Sequence, residues 1–339
     1  MNALIFKPIF ALLFSFLLTF YLVPFFCNLA RRLKFVDEPD GKIKKHKEPT
    51  PYMGGLAVYI GFLAALCLTC PFENNMLLFF VGTTLLLCVG LVDDLLVLKP
   101  YQKFFGQMLA MFCFLKAGLY LKEHFFYNSW NLLISGFWIL LIINAFNLVD
   151  VMDGLATLLA ICATSSFLGL AIYFNQHGLV MLLCAFLGPL FAFFWYNRPT
   201  AQIYLGDAGS LFIGGFLATV PFFFNWGTYN VSGYLTPIVI LAIPLLEVST
   251  LILIRTYKGI PFYMGSPDHF SIYLQQNGWS KSGILKYVFA LSLILFMAAF
   301  SFALNELPFS GLILAAMAFL SLWYIVISHK RIRQAIQSW

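Results

Sequence analysis

MLLFFVGTTLLLCVGLVDDLLVL, residues 76–98, decides the class of fold. Its first seventeen residues carry no charge, and then two aspartates, Asp93 and Asp94, stand side by side. A helix needs roughly 20 apolar residues to cross the hydrocarbon of a bilayer. The stretch therefore reads as a membrane span with its polar residues gathered near one end. Similar stretches recur on both sides of it, from Ile5–Leu29 to Phe309–Ser328. In chain order they fall near 5–29, 52–71, 76–98, 104–121, 131–149, 155–174, 178–196, 210–226, 235–254, 284–304 and 309–328, which makes about eleven helices. Helices suit this role because each satisfies its own backbone hydrogen bonds without water. A β-barrel would show short segments alternating in polarity, and the sequence has none. The first stretch is long, lacks a small-residue cleavage site and runs into a basic loop, so it is expected to be a transmembrane helix and not a signal peptide.

Composition points the same way. Of 339 residues, 61% are hydrophobic and 10% charged, whereas soluble domains carry about a quarter charged residues. So few polar groups cannot cover a water-exposed surface. The expectation is an all-α, polytopic helical bundle forming one integral membrane domain over residues 1–339, with membrane lipid as its surroundings. Nucleic-acid binding would need a basic soluble module, and none is present. The seven cysteines all lie inside apolar stretches. They read as packed thiols, Cys67 and Cys70 of the lone C-x-x-C included.

The basic residues orient the bundle. Seventeen of the twenty Lys and Arg fall in one set of loops; Lys7, Lys116 and Lys122 are left to the other. The positive-inside rule assigns the rich side to the cytoplasm, with the N-terminus outside and the C-terminus inside. The net charge of +6 then reflects helix ends that meet anionic headgroups.

Fourteen Asp and Glu are few enough to place singly. Glu73, Glu123 and Glu306 fall in outer loops, and the other eleven lie at or near the cytoplasmic side. Asp93 and Asp94 are adjacent, so on a helix they point about 100° apart. One can face a metal or phosphate while the other takes a proton or holds a lysine. Asn147, Asp150 and Asp153 form N-x-x-D-x-x-D, a spacing that a helical turn would turn into one face. Such a row suits a hydrated divalent ion or the hydroxyls and amides of a sugar nucleotide. Asp207 sits among Gly206, Ala208, Gly209 and Ser210 just before a span, where backbone can approach a ligand and a helix N-terminus favours phosphate. Carboxylates beside a phosphate substrate are the usual Mg²⁺ arrangement. Nothing resembles a zinc site, and neither a phosphate-binding P-loop nor a G-x-S-x-G elbow occurs. Blander roles compete for single residues: Asp150 alone could be an N-cap, and Glu247 could balance Arg255.

Five segments taken together resemble the polyprenyl-phosphate N-acetylhexosamine-1-phosphate transferase family (glycosyltransferase family 4). They are VDEPDGKIKKHKEPTPYMGGLA (36–57), LVDDLLVLKPYQKFFGQ (91–107), NAFNLVDVMDGLATL (144–158), NRPTAQIYLGDAGSLFIGG (197–215) and KGIPFYMGSPDHFSIYL (258–274). The resemblance is greatest to transferases of UDP-GlcNAc and undecaprenyl phosphate. It implies attack of a polyprenyl phosphate on the sugar-bearing phosphate of a UDP-N-acetylhexosamine, releasing UMP, with Mg²⁺ as cofactor and Mn²⁺ as its substitute. It implies Asp207 as principal metal ligand with Asp94 beside it, and Asp93 and Asp94 as the pair engaging the polyprenyl phosphate. Lys103 would neutralise phosphate, with Gln107 one turn on. Asn147, Asp150, Asp153, Asn197 and Tyr204 would line the nucleotide site, the last two at the uracil. Lys45, His46 and Lys47 would reach phosphate from the first loop, although solvated charge explains them as well. His269 would serve the sugar or a phosphate. The resemblance also implies a bacterial inner membrane, a site facing the cytoplasm and initiation of a cell-surface glycan; a homodimer is compatible with it, without a mark in the sequence. The last loop departs from the peptidoglycan branch: SPDHFSIYL lacks a triple-histidine run, which favours a simple UDP-sugar over UDP-MurNAc-pentapeptide. A transporter is the reading from another class, but transporters usually hold ionisable groups near the bilayer midplane.

Overall fold

The computed structural model describes residues 2–37, 50–69, 74–122, 128–226, 232–261 and 263–304, with isolated positions between 308 and 323. The chain divides into two compact units, residues 1–224 and 225–339. The first holds α1 (Asn2–Arg32), α2 (Gly54–Thr69), α3 (Asn74–Leu96), α4 (Pro100–Lys116), α5 (Asn128–Val149), α6 (Leu155–Tyr173), α7 (His177–Asn197) and α8 (Gly206–Thr219), which runs on into a 3₁₀ turn at Val220–Phe223. The second holds α9 (Thr236–Ile240), α10 (Ala242–Tyr257), α11 (Phe270–Gln276) and α12 (Lys281–Ala303). Among the described residues seven helices are long and apolar enough to cross a membrane, or eight if the bent pair α9–α10 is one span. The protein is thus a polytopic helical bundle. Large apolar side chains such as Phe6, Leu13, Leu17 and Tyr21 of α1 stay exposed, as lipid-facing positions do.

Ten of the eleven expected spans coincide with helices, and the eleventh, near 309–328, lies largely outside the described residues. Two details differ from the sequence reading. The span expected over 235–254 is broken at Leu241, with a 69° bend between its halves. Pro244 explains the break, because it has no N–H for the carbonyl of Ile240 four residues back. The second detail is a short ladder between β1 (Val36–Asp37) and β2 (Thr50–Pro51), antiparallel with Val36 opposite Pro51.

Helix α8 is the axis of the first unit. It packs on α2, α3, α5 and α6, and its side chains from Ala208 to Thr219 are buried. Two kinds of contact secure it. Phenylalanines fill the middle: Phe212 and Phe216 of α8 meet Phe62 of α2 and Phe186 of α7, the Phe186 and Phe216 rings stacking at 3.7 Å. At the N-terminal end the helices touch backbone to backbone. A Cβ on Gly55 of α2 would collide with the backbone of Gly209, and one on Gly90 of α3 with that of Ala208. Small residues permit such approach, and packing of this kind replaces the hydrophobic drive that lipid cannot supply between helices.

Candidate active site

The end of α3, the start of α4, the end of α5 and the start of α8 bring their polar residues to one place. Asp93 and Asp94 lie in the last turn of α3, where the helix dipole disfavours negative charge. Each is compensated from a different side, as adjacent helical positions require. Asp94 turns to α8: its Oδ1 accepts the N–H of Asp207 at 2.8 Å, and its Oδ2 that of Ala208 at 3.2 Å. It therefore caps the N-terminus of α8 with a charged acceptor, and each oxygen keeps a second lone pair. Asp93 turns to α4. Its Oδ1 accepts the N–H of Leu98 at 2.7 Å, and its Oδ2 lies 2.8 Å from Lys103 Nζ.

Lys103 is the hub. Beyond Asp93, its ammonium donates to Asp207 Oδ2 at 2.7 Å and to Asn147 Oδ1 at 3.1 Å. An ammonium has three protons, and these three acceptors match them. Asn147 completes a ring by donating from Nδ2 to Asp207 Oδ1 at 2.5 Å and to Ser210 Oγ at 2.9 Å. The Asp207 side chain remains 33% exposed against 10% for Asp93; of the two, Asp207 is the carboxylate open to a ligand. Gly206 shapes this corner. Its φ of 72° turns the chain into α8 in a conformation that L side chains seldom adopt, and a Cβ there would stand 2.5 Å from Asp94 Oδ2.

Asp150 and Asp153 reach the neighbourhood by another route than the helical face expected of them. Helix α5 ends at Val149, and residues 150–154 form a turn closed by Gly154 at φ 76° before α6 begins. The α6 N-cap is Gly154, not Asp150. Burial, reinforced by the carboxylates of Asp207, Asp94 and Asp153, pushes the Asp150 carboxyl well above the ordinary carboxylate range.

Three expected site residues have their polar or backbone groups engaged in holding the scaffold. Asn197 is buried; its Oδ1 accepts from Gly154 N at 3.1 Å and from Thr157 Oγ1 at 3.0 Å, while Nδ2 donates to the Ile203 carbonyl at 3.0 Å. It ties the 150–154 turn to the end of α7. Gln107 is buried in a reciprocal amide pair with Asn144 of α5. Tyr204 is stitched by its backbone to the start of α2, through Pro51 O at 2.9 Å and Gly54 N at 3.1 Å, and its ring lies 6.0 Å from that of Tyr52. Lys47, with Lys45 and His46, lies outside the described residues. His269 belongs to the second unit, where Glu247 of α10 stands 3.2 Å from its Nδ1. Asn144, Ser210 and Thr157 were missed by the sequence reading. The i, i+3 spacing of Asn144 and Asn147 on α5 was the one available signal, for Asn144.

Among the described residues no three His, Cys, Asp or Glu converge as a ready-made metal cage. That suits zinc poorly but leaves room for Mg²⁺, which takes one or two carboxylates and completes its octahedron with water and substrate phosphate. The half-open Asp207, with Asp94 at its back, offers such a donor set.

The pattern defining glycosyl transferase family 4 matches residues 76–225, from α3 through α8 and so across every residue of the cluster above. A probable undecaprenyl-phosphate N-acetylglucosaminyl 1-phosphate transferase of Bacillus subtilis (strain 168) is 26% identical over 304 residues, 85% of either chain. A phospho-N-acetylmuramoyl-pentapeptide-transferase of Streptococcus pneumoniae (strain Hungary19A-6) is 31% identical over 229 residues, 61% of this chain and 70% of the relative.

Proposed function

The chain belongs to glycosyl transferase family 4, and on that premise we propose that it transfers an N-acetylhexosamine 1-phosphate, GlcNAc 1-phosphate first among them, from a UDP-sugar to undecaprenyl phosphate. UMP is the other product, and the lipid-linked sugar starts a cell-surface glycan. The observation that carries this reading is the Lys103–Asp93–Asp207–Asn147 ring where the ends of α3, α4, α5 and α8 meet. It sets carboxylates for a cation beside an ammonium for phosphate, as a reaction between two anions needs. Likeness over 85% of the Bacillus subtilis relative favours the GlcNAc branch. The basic loops support a cytoplasmic site in a bacterial inner membrane, where a soluble nucleotide sugar can meet a lipid headgroup.

Each residue then has a task. Asp207 would hold Mg²⁺, with Asp94 fixing its backbone and placed to add an oxygen. A bound Mg²⁺ would offset charge on the diphosphate of the donor. Lys103 keeps Asp93 and Asp207 from repelling each other, and presents positive charge to the incoming phosphate. Asp93 is anchored by one backbone amide and one flexible ammonium, whereas Asp94 is pinned by two backbone amides. Asp93 and Asp94 engage the polyprenyl phosphate as a pair, Asp93 through the more adjustable of the two anchorages. Asn147 orients Asp207. Asp150 and Asp153 face the nucleotide sugar from their turn, and Asn197 acts by holding that turn. His269 binds the sugar or a phosphate.

A second reading, transfer of phospho-MurNAc-pentapeptide, has the Streptococcus pneumoniae relative in its favour and the single histidine of SPDHFSIYL against it. UMP release by purified protein with undecaprenyl phosphate, Mg²⁺ and a panel of UDP-sugars separates the two. Lipid-dependent release from UDP-GlcNAc, abolished in Asp207→Ala, is the expected result. Release from UDP-MurNAc-pentapeptide alone would overturn the substrate, and no release from any donor would overturn the transferase.

A further inference from the structure

Glu247 lies six residues into α10 with its side chain fully buried. A carboxylate in an apolar helix is expensive unless it is paired. Its Oε1 accepts the N–H of Phe270 at 3.1 Å and stands 3.2 Å from Nδ1 of His269, itself 5% exposed. The loop bearing His269 is tied to the end of α10 elsewhere too. Lys258 Nζ pairs with Asp268 at 3.0 Å, and Arg255 Nε donates to Ser266 Oγ at 3.2 Å. Glu247, Arg255 and the C-cap Lys258 of α10, with Asp268 from the loop, are the charged groups on the two elements that meet at this imidazole. The sequence reading set Glu247 against Arg255 alone; the fold brings it to a histidine twenty-two residues away.

We propose that Glu247 is a positioning residue for His269: its carboxylate takes the proton-bearing Nδ1, so that Nε2 is the nitrogen offered to the sugar nucleotide. The physics is that of any oriented imidazole. Either ring nitrogen can carry the single proton of the neutral form, and an acceptor fixed beside one of them selects the tautomer and the ring orientation. The approach here is at ion-pair distance and off the line of a hydrogen bond, a looseness common before a ligand tightens a site. The inference rests on the role given to His269 above. Its rival is a structural one, in which Glu247 serves only the backbone at Phe270.

The test uses full-length protein carrying ¹⁵N-histidine, the His269 signals being identified among the five histidines by their loss in His269→Gln. The proton is expected on Nδ1 in the wild type and in Glu247→Gln, which keeps an acceptor, and on Nε2 in Glu247→Met. In the same proteins kcat/KM for UDP-GlcNAc is expected to fall 10–100-fold in Glu247→Met, chiefly through KM, and less than about tenfold in Glu247→Gln. Glu247→Met should add nothing in a His269→Gln background, since coupled residues do not act additively. A proton that stays in place in Glu247→Met, or losses that multiply in the double variant, would overturn the proposal. Should Glu247→Met fail to fold, Glu247→Asp withdraws the carboxylate by one methylene and is expected to give the same displacement. Nitrogen shifts are read without turnover, so a wild type that releases no UMP overturns the proposed function and leaves the tautomer to judge this inference.

Discussion

Replacing Gly206 by alanine tests how Asp207 is held. Two costs follow from the geometry. Residue 206 has φ 72°, and an L side chain in that conformation costs about 1–2 kcal/mol. Its Cβ would stand 2.5 Å from Asp94 Oδ2 and 3.2 Å from Cγ, so the carboxylate must leave. Asp94 then loses at least one of its bonds to the α8 amides, each worth about 1.5–3 kcal/mol for a charged acceptor. The sum is about 2.5–5 kcal/mol, and at 1.4 kcal/mol per decade the properly held α8 terminus becomes some 10²-fold rarer or worse. The assay is UMP release together with thermal unfolding in detergent. A fall of about two decades in rate and a lower unfolding midpoint are expected. The sharper measurement is the same substitution in an Asp94→Ala background, where the clash has gone and about 1–2 kcal/mol of backbone strain remains. If Gly206→Ala costs as much there as in the wild type, the collision with Asp94 is not the cause and the reasoning fails.

Lys103→Met should lower UMP release by 10²-fold or more, because it strands Asp93 and Asp207 without their shared cation, and breaking such a pair costs about 3–5 kcal/mol. Lys103→Arg should not restore it, since a planar guanidinium cannot donate in the three directions now taken by Asp93, Asp207 and Asn147; full activity in the Lys103→Arg variant would refute the three-way geometry. Asp150 holds its proton to higher pH in the folded chain than in the unfolded one, so its contribution to stability is present at low pH and lost as pH rises from the ordinary carboxylate value of ~3.9 toward the folded one. In Mg²⁺-free buffer Asp150→Asn should therefore raise the unfolding midpoint at pH 8 and leave it unchanged near pH 3.5; a pH-independent difference would contradict this. Asn197→Ala removes three buried hydrogen bonds and should cost about 2–4 kcal/mol of stability, seen as a lower midpoint. An unchanged midpoint with a raised KM for the UDP-sugar would return Asn197 to the nucleobase.

Much of this was legible in the chain. Hydropathy alone places ten helices, since length and apolarity are local properties that the bilayer enforces. The scarcity of acids made Asp93, Asp94 and Asp207 stand out, and the fold does gather them. What stayed hidden depends on partners. The spacing of Asn147, Asp150 and Asp153 is helical, but Gly154 in the left-handed region ends the helix pattern and makes a turn of the last two. An amide such as Asn197 looks alike whether it reads a base or ties a loop, and its bonds to Gly154, Thr157 and Ile203 join stretches that no sequence pattern links. Glu247 and His269 are separated by a break in regular structure, and no periodicity links them. Pro244 did announce the bend in α9–α10, although its apolar neighbours masked it.

The seam between Gly55, Gly90 and the first turn of α8 also constrains the catalytic cycle. Side chains let packed helices slide, because a rotamer can change as the contact shifts. Bare backbone against backbone has no rotamer to give. The ends of α2, α3 and α8 must therefore travel as one block, carrying Asp93, Asp94 and Asp207 with them. Within the first unit, spectroscopic labels on these three helix ends are thus expected to keep their mutual distances when substrate binds.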